Sequence, residues 1–167
     1  LDTRSRLSPD GKFIATWRVR PPSSVYSDGK PFEWIRPFAS GPPSGFSKDN
    51  HYLLTSTGSS PRHTVSVHIL DSQSGKLVST YAPRRAQSAG RQFSFNPSGT
   101  RLAIFEREST DLAIVDVRTG RELIYVHHDE PLAGVGFHPD GNRLYTATRD
   151  GKVIMWDGTP QPVEQQT

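Results

Sequence analysis

The segment GVGFHPDGNRLYTATRDGKVIMWD, Gly134–Asp157, decides how the whole chain reads. Around it the apolar residues fall into three short, partly alternating runs, Ala133–Phe137, Arg143–Thr148 and Val153–Trp156. His138-Pro139-Asp140-Gly141-Asn142 separates the first two, and Arg149-Asp150-Gly151-Lys152 the last two. An Asp-Gly pair between alternating runs is the strongest short hairpin signal, because such turns need positive φ and glycine supplies it without strain. The segment therefore predicts a three-strand antiparallel meander.

The same grammar recurs upstream. RLSPDGKFIATWRV carries the first hairpin at Ser8–Lys12, SGFSKDNHYLLTST at Ser47–His51, and FSFNPSGTRLAIFE at Asn96–Thr100. Ser8, Ser47, Asn96 and His138 are then 39, 49 and 42 residues apart. The third strands are expected to end at Trp34, Leu70, Val115 and Trp156. In the two middle copies a fourth apolar run follows a D-x-x-x-G turn, Asp71 to Gly75 and Asp116 to Gly120. Units of roughly 43 residues match the four-stranded blade of a β-propeller. The fold class expected is all-β: antiparallel four-stranded meanders in four repeats, near 1–40, 41–83, 84–128 and 129–160, with a polar tail at 161–167. The whole of 1–167 reads as one propeller segment.

FHPDGNRLYTATRDGKVIMWD resembles a WD40 repeat, with its SPDG-type turn, hydroxyl residues on the second strand, Asp before the third and terminal Trp-Asp. In the earlier repeats the Trp-Asp position reads Trp34-Ile35, Leu70-Asp71 and Val115-Asp116. None carries the Gly-His pair that the family places before the first strand, although His128 lies near that place. The resemblance implies a structural hydrogen-bond chain in the last repeat, from His128 through Thr146 or Thr148 and Asp150 to Trp156. It also implies a platform for docking proteins or peptides, with no cofactor.

Composition agrees with many short strands joined by turns: 33% hydrophobic residues, 14 Gly and 14 Pro. No window shows sustained helical periodicity, so almost no helix is expected. No run approaches the ~18 apolar residues of a membrane span. The absence of cysteine excludes disulfides and thiolate metal or catalytic sites; it leaves the compartment open, with the cytoplasm favoured slightly. The chain begins at Leu1 rather than Met, which reads as a piece with something removed before it. The first unit starts with its inner strand near Thr3–Leu7 and has only IRPFASGPPSG where a fourth strand belongs. The last unit stops after its third strand, since DGTPQPVEQQT is polar and proline-broken. An incomplete ring is therefore expected, completed by further blades of a larger propeller or by a second copy; a closed, irregular four-blade ring is the remaining alternative.

Few constellations suggest chemistry. In HHDE, His127–Glu130, neighbours on an extended chain point to opposite sides, so the two histidines do not grip one ion. His51, His63, His68 and His138 are scattered, with no metal-ligand spacing. No G-x-S-x-G elbow exists, and Ser44 in GPPSG reads as a loop residue. Glu106 and Glu108 are read as sharing one strand face at a solvated edge. The asparagine of N-P-S, Asn96, is barred from glycosylation by the proline. A net charge of +3 and strand-bound aromatics disfavour nucleic acid.

One surface gathers separate features. Arg84, Arg85 and Arg91 lie in the connection between the second and third units, and His127, His128 and Glu130 in that between the third and fourth. In a propeller such connections emerge on one face, so these six residues are the candidate partner-binding set, and arginine there could hold an acidic partner or a phosphate bidentately. His128, Thr148, Asp150 and Trp156 are the structural set. The competing reading is a hydrolase- or lyase-type propeller enzyme working at the central channel. Its lining would come from Arg4 or Arg6, Phe46, Phe93 or Phe95, and Val135 or Phe137, a largely apolar set.

Overall fold

The structure, a computed structural model, describes residues 3–18, 24–27, 30–32, 43–57, 65–84 and 90–159. These residues are all-β, in four antiparallel sheets. The first holds β1 (Thr3–Leu7), β2 (Phe13–Arg18), β3 (Ser24–Ser27) and β4 (Lys30–Phe32). The second holds β5 (Pro43–Phe46), β6 (Tyr52–Thr57), β7 (Ser66–Asp71) and β8 (Leu77–Tyr81). The third holds β9 (Arg91–Phe95), β10 (Arg101–Glu106), β11 (Asp111–Asp116) and β12 (Glu122–His127). The fourth has three strands, β13 (Leu132–Phe137), β14 (Arg143–Thr148) and β15 (Val153–Asp157). Each is a meander in chain order.

The recurring turn explains why these sequences fold as repeats. The N–H of Gly11, Asn50, Gly99 or Gly141 donates to the carbonyl of Ser8, Ser47, Asn96 or His138 at 2.9–3.0 Å. Each of the four donors has φ between 64° and 78°. Asn50 therefore stands in for glycine, as a residue whose short polar side chain tolerates the left-handed region. The first residue also reaches the third by side chain: Ser8 Oγ donates to Asp10 at 2.7 Å, and Ser47 Oγ to Asp49 at 2.5 Å. Asn96 Nδ2 donates to Ser98 at 3.0 Å, and His138 lies 2.9 Å from Asp140.

The sheets stack through their apolar faces. Ala15 packs with Phe46, Leu53 and Leu70 between the first and second. Leu54, Val67, Ile69 and Tyr81 meet Leu102, Ile104, Ala113, Val115 and Val117 between the second and third. Ala103, Phe105, Leu112 and Ile114 meet Leu132 and Leu144 between the third and fourth. First strands lie beside first strands, β1 by β5 and β9 by β13, as in propeller blades around an axis. The ring is not closed among the described residues. Leu7 (62% exposed) at one flank and Val153 (67%) at the other mark the outer faces.

Two readings need correction. The first sheet does have a fourth strand: β3 ends at Ser27 and β4 follows after Asp28-Gly29, so the third strand does not run to Trp34. Trp34-Ile35 lies outside the described residues. Glu106 and Glu108 do not share a solvated strand face. Glu106 ends β10 and is buried, whereas Glu108 sits beyond it with φ 68° in the turn to β11.

Candidate functional site

The connections that run from an outer strand to the next inner strand share one end of the stack with the β10–β11 and β14–β15 turns. Backbone bonds fix this end. Arg107 N–H donates to Gly90 O, His128 to Thr110 O, Leu132 to Ser109 O and Arg149 to Pro131 O, all at 2.8–2.9 Å. Loops held this way present side chains on a frame rather than on a tether.

Arg84 leaves β8 and reaches the outer strand of the next sheet. Its Nη2 lies 2.6 Å from Glu122, and its guanidinium carbon sits 4.5 Å from the centre of the Tyr125 ring. Tyr81 Oη donates to the same Glu122 at 3.1 Å; burial, then that carboxylate, push the Tyr81 hydroxyl far above its usual range. Glu122 and Tyr125 stand together because Leu123 is an extra residue: Ile114 pairs with Ile124, but Val115 pairs with Glu122. The Arg84 side chain is 64% exposed despite these contacts. Arg91 differs. It pairs with Glu106 at 2.6 Å, both side chains about nine-tenths buried, so it braces β9 against β10 rather than facing out. Arg85 lies outside the described residues.

His127 and His128 do point apart. His127 is exposed and its Nδ1 is 2.7 Å from Asp111. His128 is buried, with Nδ1 3.2 Å from Thr110 O and Nε2 3.0 Å from Thr146 Oγ1. A carbonyl only accepts, so Nδ1 carries the proton and Nε2 accepts from the Thr146 hydroxyl. Thr146 Oγ1 in turn accepts from Trp156 Nε1–H at 3.0 Å. The chain thus runs Trp156, Thr146, His128, Thr110, with every group satisfied. Thr148 and Asp150 are outside it: Thr148 Oγ1 donates to Asp150, closing the β14–β15 turn. Hydrogen bonds from the Thr148 hydroxyl, then the Lys152 N–H, hold the Asp150 carboxyl below its ordinary value. Glu130 is exposed on the adjoining turn, which Arg149 and Glu108 bracket as an ion pair at 2.5 Å.

At the opposite end of the stack, Phe46, Phe93, Phe95 and Phe137 line a hollow of about 310 Å³ with Pro9, Pro97, Pro139 and Lys48. This is where the first strands converge, and the lining is aromatic and proline. Among the described residues no group of three or more His, Asp or Glu could hold a metal ion, and no helix is long and apolar enough to cross a membrane.

Residues 121–157 match the family model described as WD domain, G-beta repeat. This segment is a WD40 repeat. Its match opens at Arg121, just before β12, so the WD40 repeat in sequence takes its outer strand from the third sheet and its other three from the fourth. That stagger puts His128 between two sheets, where it bonds Thr110 of one and Thr146 of the other. The WD40 repeat, with the described residues all-β in antiparallel sheets, supports a protein-interaction module in general. Sequence reasoning overlooked Tyr81, Asp111, Glu122 and Tyr125. The available signal was the Asp-x-x-x-Gly turn, which places Leu77 and Glu122 at the same point of successive units.

Proposed function

We propose that the chain works as a WD40-type docking platform that holds a protein or peptide at the end carrying Arg84, Tyr125, His127 and Glu130. The observation that carries this is the stack of Arg84 on Tyr125. An exposed cation is held over an aromatic ring and tethered to Glu122, so its conformational freedom is spent before a partner arrives. Arginine and tyrosine are, with tryptophan, the side chains enriched among energetic anchors of interfaces. Arg84 supplies donors to an acidic side chain, and the neighbouring Asp129-Glu130 turn supplies acceptors to a basic one. Arg91 contributes indirectly, by fixing β9, and His128 by locking the connection that presents His127 and Glu130. No step of this reading needs a nucleophile, cofactor or metal. The exposed flanks add a second kind of partner: further blades, or a second copy, completing the ring.

The test is a pull-down from native extract comparing the unaltered protein with Arg84→Ala/Arg85→Ala. Loss of the same captured proteins, with unchanged melting temperature, is expected. Equal recovery would remove the Arg84 end from the interface.

A further inference from the structure

The hollow at the end of the stack opposite Arg84 combines aromatic surface with a single charge. Phe46 and Lys48 come to it from the second sheet, Phe93 and Phe95 from the third, and Phe137 and Pro139 from the fourth. Its volume of about 310 Å³ lies at the small end for ligand sites. Phe93, Phe95 and Phe137 pack against the cores yet stay only half-buried, so part of each ring is left to the hollow. Lys48 is exposed and is the only charged residue among the described lining residues. It makes no ion pair among the described residues, whereas Arg84, Arg91, Arg149 and Lys152 at the other end each meet a carboxylate. Asp49 beside it is spent on its own turn, accepting from Ser47 Oγ at 2.5 Å and from His51 N–H at 3.1 Å.

The backbone adds donors of the same sign. β5, β9 and β13 are first strands, each with one partner in its sheet. Ser47, Asn96 and His138 donate their N–H to the carbonyls of Tyr52, Arg101 and Arg143 at 2.8–3.0 Å. Alternation then turns the N–H groups of Phe46, Phe93, Phe95 and Phe137 away from the second strands. That of Phe137 meets Ser94 Oγ of the third sheet at 3.4 Å, which shows that these edges look across toward one another. Those of Phe46, Phe93 and Phe95 have no acceptor among the described residues. Aromatic faces alone would suit a cation, but Lys48 opposes one and no carboxylate is among the described lining residues. Unspent donors and an ammonium beside aromatic surface complement a negative head on an apolar body.

We propose that this hollow binds a small organic anion, a compact aromatic or alicyclic body carrying one carboxylate or sulfonate. The rings of Phe46, Phe93, Phe95 and Phe137 take the body. The Lys48 ammonium and the edge N–H groups take the head, as charge-assisted hydrogen bonds. The site shares no residue with the Arg84 end and does not depend on docking there.

Anilinonaphthalene sulfonate is the probe, since its fluorescence rises in apolar surroundings and it carries one negative charge. Phenylnaphthylamine, the same body without the sulfonate, is its neutral control. Saturable binding of the sulfonate to the unaltered protein is expected, with the neutral control at least about tenfold weaker. Lys48→Glu, at an exposed position, should weaken the sulfonate about tenfold or more and leave the neutral control unchanged. Pro139→Glu, exposed on the fourth sheet's rim of the same hollow, should weaken the sulfonate as well. Lys76→Glu makes the same charge change at an exposed lysine outside the lining and should leave both probes unaffected. A set of carboxylates sharing the naphthalene body should displace the sulfonate. No saturable binding up to about 1 mM, equal affinity for the two probes, or equal weakening by Lys48→Glu and Lys76→Glu would overturn the proposal.

Discussion

Thr146 and Thr55 occupy the same place in their sheets, eight residues past His138 and Ser47, yet the same substitution should have opposite effects. Thr146 is fully buried and joins Trp156 Nε1–H to His128 Nε2. Thr146→Val leaves both without a partner. A buried polar group stranded in this way costs about 1–3 kcal/mol, so a loss of about 3 kcal/mol is expected. In the second sheet Leu70 stands at the tryptophan position, and Thr55 Oγ1 is buried with no hydrogen-bond partner among the described residues. Thr55→Val removes that desolvated hydroxyl at nearly constant volume and should gain about 1 kcal/mol. Any general preference of strands for valine acts equally on both variants and cancels in the comparison. At about 2–4 °C per kcal/mol for a chain of this size, the two melting temperatures should separate by roughly 10 °C, on opposite sides of the parent. Differential scanning calorimetry of the three proteins decides it. Two equal shifts of the same sign would refute the assignment of the Trp156–Thr146–His128 chain.

Gly120 and Gly151 both have positive φ, but a methyl at Gly120 would lie 2.3 Å from Thr80 O of the neighbouring sheet, whereas Gly151 faces open space. Gly120→Ala should therefore cost about 3 kcal/mol and Gly151→Ala about 1, read from urea midpoints; equal costs would deny the packing of that turn on β8. Arg91→Ala breaks the buried pair with Glu106 and should cost about 3–5 kcal/mol, much of it recovered in Arg91→Met/Glu106→Leu; thermal melts of the two variants compare them. Hydrogen bonds within their turns hold the carboxyls of Asp10, Asp116 and Asp150 below the ordinary range, from the Ser8, Thr119 and Thr148 hydroxyls first. Groups depressed on folding stabilise above their unfolded pKa, about 3.9, and lose that contribution as pH falls through their folded values. Melting temperature should thus decline gently as pH falls below about 6.5, where burial disfavours the His68 proton, and more steeply below about 4; a profile with no further fall between pH 4 and 2.5 would contradict the turn geometry.

Much of the blade pattern could be read from the turns alone, because Ser-Pro-Asp-Gly, Ser-Lys-Asp-Asn and Asn-Pro-Ser-Gly encode local geometry that packing does not override. The first unit misled because analogy with the spacing of the other units puts the end of its third strand at Trp34, whereas β3 ends at Ser27 and pairs with a fourth strand, Lys30–Phe32. Within the site, the opposed directions of His127 and His128 follow from strand alternation. The choice of Thr146 over Thr148 does not: they lie two apart on one strand face, and only the position of Trp156 across the register separates them. The burial of Arg91 against Glu106 was equally hidden, since it depends on where β9 and β10 meet, and no local pattern reports that. The bulge at Leu123, which brings Glu122 beside Tyr125 and so builds the seat of Arg84, is a property of the β11–β12 pairing.

The central functional claim is that partners dock at the end where outer strands return to inner ones. A photo-crosslinking phenylalanine analogue placed in turn at positions 84, 130 and 48, in protein made in its native host, tests this directly. Adducts of defined mass from positions 84 and 130, and none from 48 beside the aromatic hollow, are the predicted result. Adducts from position 48 alone would place recognition at the opposite end and contradict the account.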